Sequence, residues 1–325
     1  MDFAASGLGP ADLRSARAAV APFIRTTPLV PAGTLSERLG RPVLLKCENL
    51  QAGGAFKMRG ASHFVARLDA PARARGIITY SSGNHGIAVA TAARRAGIRA
   101  VVVMPSTVPA VKKEKVLALG AEVHLAGPSS LDRKALAERL QKERELVMIP
   151  PFDHPWIVAG QATCGLEILE QCPEAAAILV PVGGGGLLAG IALACHAHRP
   201  SLRPIGVEPE GAAKMSASLA AGRPVTLDAC ASIADGLLPN RPGDLTFAVI
   251  REAAGGVVTV GDAAIRGAAE ALLRDEHLLV EWSGSVGVAA LSSGAARPAG
   301  DGPVIVVLSG GNADPLALLP HTPAV

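Results

Sequence analysis

This 325-residue chain predicts an α/β fold with two open, twisted, mostly parallel sheets. Three observations carry that expectation. Short apolar runs rich in Val and Ile alternate with helical patterns along nearly the whole chain. Gly (36) and Pro (25) are abundant while aromatic residues make up only 3%, a composition suited to many tight strand-to-helix turns. The length allows two domains of about 100 to 200 residues each.

The elements follow in order. A first series runs GIITY (76–80), HGIAVATAARRAG (85–97), IRAVVVMP (98–105), AVKKEKVLALG (110–120), AEVHLAG (121–127), a charged helix LDRKALAERLQKERE (131–145) and LVMI (146–149). Each of the first two helices ends in Gly before the next strand, the rhythm of a parallel sheet covered on both faces. A second series starts at AAILVPV (176–182), passes four glycines into LLAGIALACHAH (187–198), continues through RPIGVEPE (203–210) and closes on PVIVVLSGGN (303–312). The expected organisation is a large, discontinuous unit of residues 1–74 plus 153–325, into which a small unit of residues 75–152 is inserted, with no appended regulatory domain.

Composition narrows the function classes. The formal net charge is +3, and no Lys/Arg run exceeds a pair, so nucleic acid is not an expected partner. Five cysteines form no CxxC pair and read as reduced, cytosolic thiols. MDFAASGLGP has no basic stretch ahead of an apolar run, so a secretory signal is not expected. Ala175 to Cys195 lacks charge over a membrane-spanning length, but Pro181 and the four glycines split it into a buried strand, a loop and a buried helix. A cytoplasmic protein with a small-molecule partner and no membrane partner is expected.

Three loops could bind a ligand at strand ends. PVGGGGLLAG places Gly183, Gly184, Gly185 and Gly186 between a strand and a helix, where backbone N–H groups can converge on an anion. It is neither a GxxxxGK[ST] loop nor a GxGxxG loop with a following acidic residue, which disfavours ATP and dinucleotides. SSGNHG (81–86) and LSGGNAD (308–314) offer polar side chains at similar junctions, although each could be a cap or a turn. In an open α/β sheet ligands gather at the carboxyl ends of strands, which favours one shared site.

Lys57, in QAGGAFKMRGA, has no carboxylate nearer in sequence than Glu48, whereas Lys112, Lys113, Lys115, Lys134 and Lys142 sit among charges and read as solvated. A phosphate cradle with an isolated lysine suggests a phosphorylated carbonyl cofactor. Pyridoxal phosphate is the commonest one needing both features.

In order, KCENLQ, GGAFKMRGA, SSGNHG, GQATCGLEI, PVGGGGLLAGIA, GVEPEGA, SIADGL and LSGGN resemble the fold-type II pyridoxal phosphate enzymes, a tryptophan synthase β-like fold with the cofactor between its two domains. The likeness is to the threonine/serine dehydratase and serine racemase branch, from about Pro28 to Asn312. The resemblance implies that Lys57 condenses with the cofactor's aldehyde beside Phe56, and that Gly183 to Gly186 cradle its phosphate. Asn84 matches the contact to its phenolic oxygen, and Ser309 the partner of its ring nitrogen. Gly236, in SIADGL, and Glu281, in EWSG, fall among the cofactor-binding positions. Ser82 matches the hydroxyl on the face opposite the lysine. Ser81, Ser82, Asn84 and His85 form the loop that receives the substrate carboxylate, and Arg133 aligns with an arginine used for carboxylate contact.

The implied activity is that of an ammonia-lyase, which converts a β-hydroxy-α-amino acid of threonine or serine type to a 2-oxo acid and ammonia. Lys57 and Ser82 act on the two faces of Cα. The alternatives are a racemase, or a dual racemase and dehydratase; a catalytically silent scaffold is the non-enzyme alternative. Family members are commonly homodimers.

Three departures stand out. The family's TGSFK becomes GGAFK, so Gly53 and Ala55 replace two hydroxylated residues, which suggests a roomier pocket for bulkier substrates. Metal-activated members pair the glutamate of GVEP with an acidic residue six positions later. Glu208 is present, but position 214 is Lys214, so no Mg²⁺ or Mn²⁺ requirement is expected unless Lys214 is simply solvated. Finally, EPSG becomes EWSG at Glu281 to Gly284.

Overall fold

Two sheets organise the computed structural model of the chain, which describes residues 6–81, 83–108, 110–127 and 129–318. The strands are β1 (Leu29–Pro31), β2 (Val43–Lys46), β3 (Ile77–Tyr80), β4 (Ala100–Pro105), β5 (Glu122–Ala126), β6 (Val147–Met148), β7 (Ala177–Pro181), β8 (Ile205–Pro209), β9 (Val257–Val260) and β10 (Val304–Val307). One sheet has six strands in the order β1-β2-β10-β7-β8-β9, and the other has four in the order β5-β4-β3-β6. Every pairing is parallel except β1 with β2. The chain thus starts the larger sheet, lays down the smaller one between residues 77 and 148, and returns.

The apolar runs become strands because both faces are covered. β4, β7 and β10 are buried along their whole length, as parallel strands between helical layers must be. The uncharged stretch resolves into β7, a glycine loop and the helix Gly186–His198, nearly all of it core. Among the described residues no helix is long and apolar enough to cross a membrane. β1, β2 and β9 were not singled out by the alternation; β1 has only three residues and β9 is only partly buried, which leaves little pattern to read.

The motifs KCENLQ, MRGA and GQATCGLEI meet in one buried charge cluster. Arg59, on the helix Lys57–Ala66, pairs with Glu48 after β2 and with Glu167 on the helix Pro155–Gln171, at 2.7 Å each. Lys46 pairs with the same Glu167 at 2.6 Å. All four side chains are buried. Burial alone would raise the Glu48 pKa, but Arg59 outweighs it and holds the carboxyl below its ordinary value. The opposite charges balance, so the cluster fixes the start of the Lys57 helix against β2 and the Pro155–Gln171 helix without leaving a net buried charge.

Candidate active site

A cavity of about 310 Å³ opens where the carboxyl ends of β7 and β10 in the larger sheet meet that of β3 in the smaller. Its lining includes Phe56, Lys57, Ser81, Asn84, His85, Arg133, Gly183, Gly184, Gly185, Gly186, Gly236, Glu281 and Ser309. Every site residue named from sequence therefore lies on its wall, apart from Ser82, which is outside the described residues.

Lys57 is placed by the turn before it. Phe56 N donates to Ser309 O at 3.0 Å, and Ala55 bridges Gly310, so the segment is laid against the end of β10. Lys57 Nζ donates to Pro151 O at 2.7 Å and lies 5.1 Å from the Phe56 ring centre. Among the described residues no carboxylate pairs with it, and burial pulls its pKa down to about 8. An amine in that range is a usable nucleophile and base.

The glycine loop leaves an anion site. The helix Gly186–His198 starts with no side-chain cap, and its N-cap residue Gly185 is in the left-handed region at φ 98°. A Cβ on Gly185 would come within 2.9 Å of both Thr246 Oγ1 and Ile250 Cδ1, and one on Gly184 would enter the Phe152 ring. Thr246 Oγ1 donates to Gly184 O at 2.6 Å. Thr246, Ile250 and Phe152 thus pack closely on the loop, and the uncapped positive end of the helix remains for a phosphate. Together with Lys57 and the hydroxyl of Ser309, these residues fit a phosphorylated pyridine aldehyde.

Asn84 is held from two sides: its Nδ2 donates to Glu281 Oε1, and Asn312 Nδ2 donates to its Oδ1 at 3.0 Å. Burial pushes the Glu281 carboxyl up to about 7 despite Lys112, and its Oε2 is buried without a hydrogen-bond partner among the described residues. His85 is pulled down to about 3 by burial and by Lys57, so its imidazole is neutral. Arg133 reaches the wall from the helix Ser130–Arg144 and is half-buried rather than fully solvated.

Two expectations need correction. Gly53 and Ala55 do not line the cavity: Ala55 is buried in its bridge to Gly310, and Gly53, at φ 74°, turns its carbonyl to Asn312. Their replacement therefore does not enlarge the pocket. Lys112 is not solvated either. Its side chain is 9% exposed, runs over Gly83 and meets Asp235 at 2.5 Å across the cavity. Sequence reading missed Lys112, Asp235, Tyr80 and Phe152 as wall residues. Only Asp235, inside SIADGL, carried a motif signal.

Lys214 is not solvated. Its Nζ is fully buried among the carbonyls of Val182, Ala212 and Leu237 and lies 3.2 Å from Glu208 Oε2. Burial lowers its pKa while Glu208 acts the other way.

Comparison with known proteins follows from this geometry. The family model described as "Pyridoxal-phosphate dependent enzyme" matches residues 20–310. The chain belongs to that family, its fold is that of the fold-type II members, and its cofactor is pyridoxal phosphate. Within the family it is 38% identical over 306 residues to a serine racemase of Oryza sativa subsp. indica, covering 93% of this chain and 90% of that one. It is 43% identical over 293 residues to an L-threonine ammonia-lyase of Geobacter sulfurreducens, covering 90% and 72%. The structure of maize serine racemase superposes with a TM-score of 0.91 at 38% identity, covering 95% of each chain. The crystal structure of a T.th. threonine deaminase gives 0.89 at 40%, covering 94% and 99%.

Proposed function

We propose that the protein is a pyridoxal phosphate-dependent lyase that converts a β-hydroxy-α-amino acid of threonine or serine type to a 2-oxo acid and ammonia. The observation that carries this reading is Lys57: an amine without a carboxylate partner among the described residues, in the same cavity as an uncapped helix N-terminus and Ser309. The ammonia-lyase and deaminase relatives support it.

When bound, the cofactor supplies an electron sink for the pair left at Cα. Gly183 to Gly186 would hold its phosphate, and Ser309 would offer its ring nitrogen a neutral hydroxyl rather than a carboxylate. Ser81, with neutral His85, helps shape the wall for the substrate carboxylate, and Arg133 adds a cation there. Lys57, as free amine, removes the Cα proton. The β-hydroxyl leaves as water, and hydrolysis of the resulting enamine in its imine form releases the 2-oxo acid and ammonia.

The serine racemase relatives support a second outcome, inversion at Cα, in which Lys57 keeps the proton it removes and the hydroxyl of Ser82 would supply a different one to the opposite face. A panel of L- and D-β-hydroxy amino acids, assayed separately for 2-oxo acid, ammonia and inversion, tests both. Inversion without ammonia would overturn the lyase reading, and no chemistry with any of them would leave a silent scaffold. We further infer a cytoplasmic homodimer. The five cysteines are free and four are buried, which suits a reducing compartment. Light scattering tests the dimer.

A further inference from the structure

Lys214 is a buried ionisable group that the proposed reaction does not use. It opens the helix Lys214–Ala221, and neither it nor Glu208 has any solvent exposure. Its Nζ lies 2.9 Å from Val182 O, 3.0 Å from Ala212 O, 3.0 Å from Leu237 O and 3.2 Å from Glu208 Oε2. All four neighbours accept hydrogen bonds. An ammonium presents three donors to them, whereas a neutral amine would turn its lone pair on an oxygen. Glu208 cannot swing away, because Met215 N and Ser216 N donate to its two oxygens at 3.1 and 2.7 Å.

Two of the carbonyls adjoin residues of the cavity wall. Val182 immediately precedes Gly183, and Leu237 follows Gly236 in the turn Asp235–Leu237. Loop and turn already touch: a Cβ on Gly183 would stand 3.1 Å from Gly236 O. We propose that Lys214 is a positioning residue whose ammonium serves as a tethered cation, filling a four-oxygen site and thereby stapling the Gly183–Gly186 loop to the Asp235–Leu237 turn.

The size of the site sets which free ion could replace the side chain. Oxygens 2.9 to 3.2 Å from the centre are too distant for Mg²⁺ at about 2.0–2.1 Å or Ca²⁺ at about 2.3–2.6 Å. A potassium or ammonium ion matches. Removing the side chain beyond Cβ therefore exposes a latent monovalent-cation site beside the phosphate loop. This rests on reading Gly183 to Gly186 as that loop.

The test is thermal unfolding and cofactor affinity of the holoenzyme in potassium chloride and in tetramethylammonium chloride of equal ionic strength. The wild type is expected to give the same Tm in both, with or without EDTA. Lys214→Ala is expected to unfold about 3–8 °C lower in tetramethylammonium and to bind pyridoxal phosphate at least tenfold more weakly. Potassium restores at least half of each loss and magnesium does not. Lys214→Met, which refills the space without charge, stays low in both salts.

A Lys214→Ala protein equal to wild type overturns the proposal, and so does a loss that no cation moves, or recovery by magnesium and not potassium. A wild-type Tm that falls in EDTA and returns with magnesium also overturns it. If Lys214→Ala folds poorly, refolding yield in the two salts replaces Tm, and equal yields overturn the staple. Failure of the function reading would be seen separately, as a cofactor absorption band that survives Lys57→Ala.

Discussion

A partly buried amine with no carboxylate partner among the described residues is costly to fold around, and at Lys57 the proposed bond to the cofactor's aldehyde would account for that cost. The protonated form is the one burial disfavours, so the nucleophilic amine gains population as pH rises through about 8 rather than through the ordinary 10.5. Cofactor-free protein is therefore expected to take up pyridoxal phosphate at a rate that is half-maximal near pH 8, followed by absorbance in rapid mixing. Lys57→Ala should show no such band and lose activity by about 10²- to 10⁴-fold. The residues beside it behave differently from what their letters suggest. Gly53 and Ala55 point to the Asn312 and Gly310 contacts and not to the cavity. Ala55→Ser is expected to leave the ranking of small and bulky β-hydroxy substrates unchanged, with kcat/KM ratios within about twofold, because no cavity wall moves.

At the scale of elements, the glycine loop and the buried charge cluster set where the reactive groups stand. Gly185→Ala places a Cβ at φ 98° and 2.9 Å from Thr246 Oγ1, which should cost about 1–3 kcal/mol and weaken cofactor binding. Urea unfolding with and without cofactor measures both. Arg59→Met should cost about 3–5 kcal/mol, because Glu48 would be left as a buried charge without its main partner. The double variant Arg59→Met, Glu48→Gln should recover much of that loss by the same denaturation measurement. The place of the glycine loop on the cavity wall was legible in sequence because four glycines between a strand and a helix have few uses other than close approach to a ligand. The charge cluster was not, since Glu48 and Arg59 are eleven positions apart and Glu167 lies a further 108 along the chain.

Across the whole molecule, the cavity is closed by groups from both sheets. Lys112 follows β4 of the smaller sheet and Asp235 lies in a turn of the larger one, and their ion pair joins the two sides of the cavity wall. Asp235 is partly exposed, so the pair is worth about 1 kcal/mol or less. Lys112→Met is expected to raise KM up to about fivefold and to make it insensitive to salt between about 0.05 and about 0.5 M, where wild-type KM rises as screening weakens the pair. Steady-state kinetics at several ionic strengths checks this. Alternating apolar runs, the isolated Lys57, the glycine loop and the ordered motifs established by themselves the α/β class, the cofactor and part of the cavity wall, because each depends on local pattern or on a residue type with one chemical use. Only the tertiary structure decided that Gly53 and Ala55 lie off the cavity wall, that Lys112 pairs with Asp235 on it and that Lys214 is enclosed by four oxygens. Those facts depend on which carbonyls and carboxylates distant parts of the chain bring to a side chain, and no spacing along a sequence encodes that.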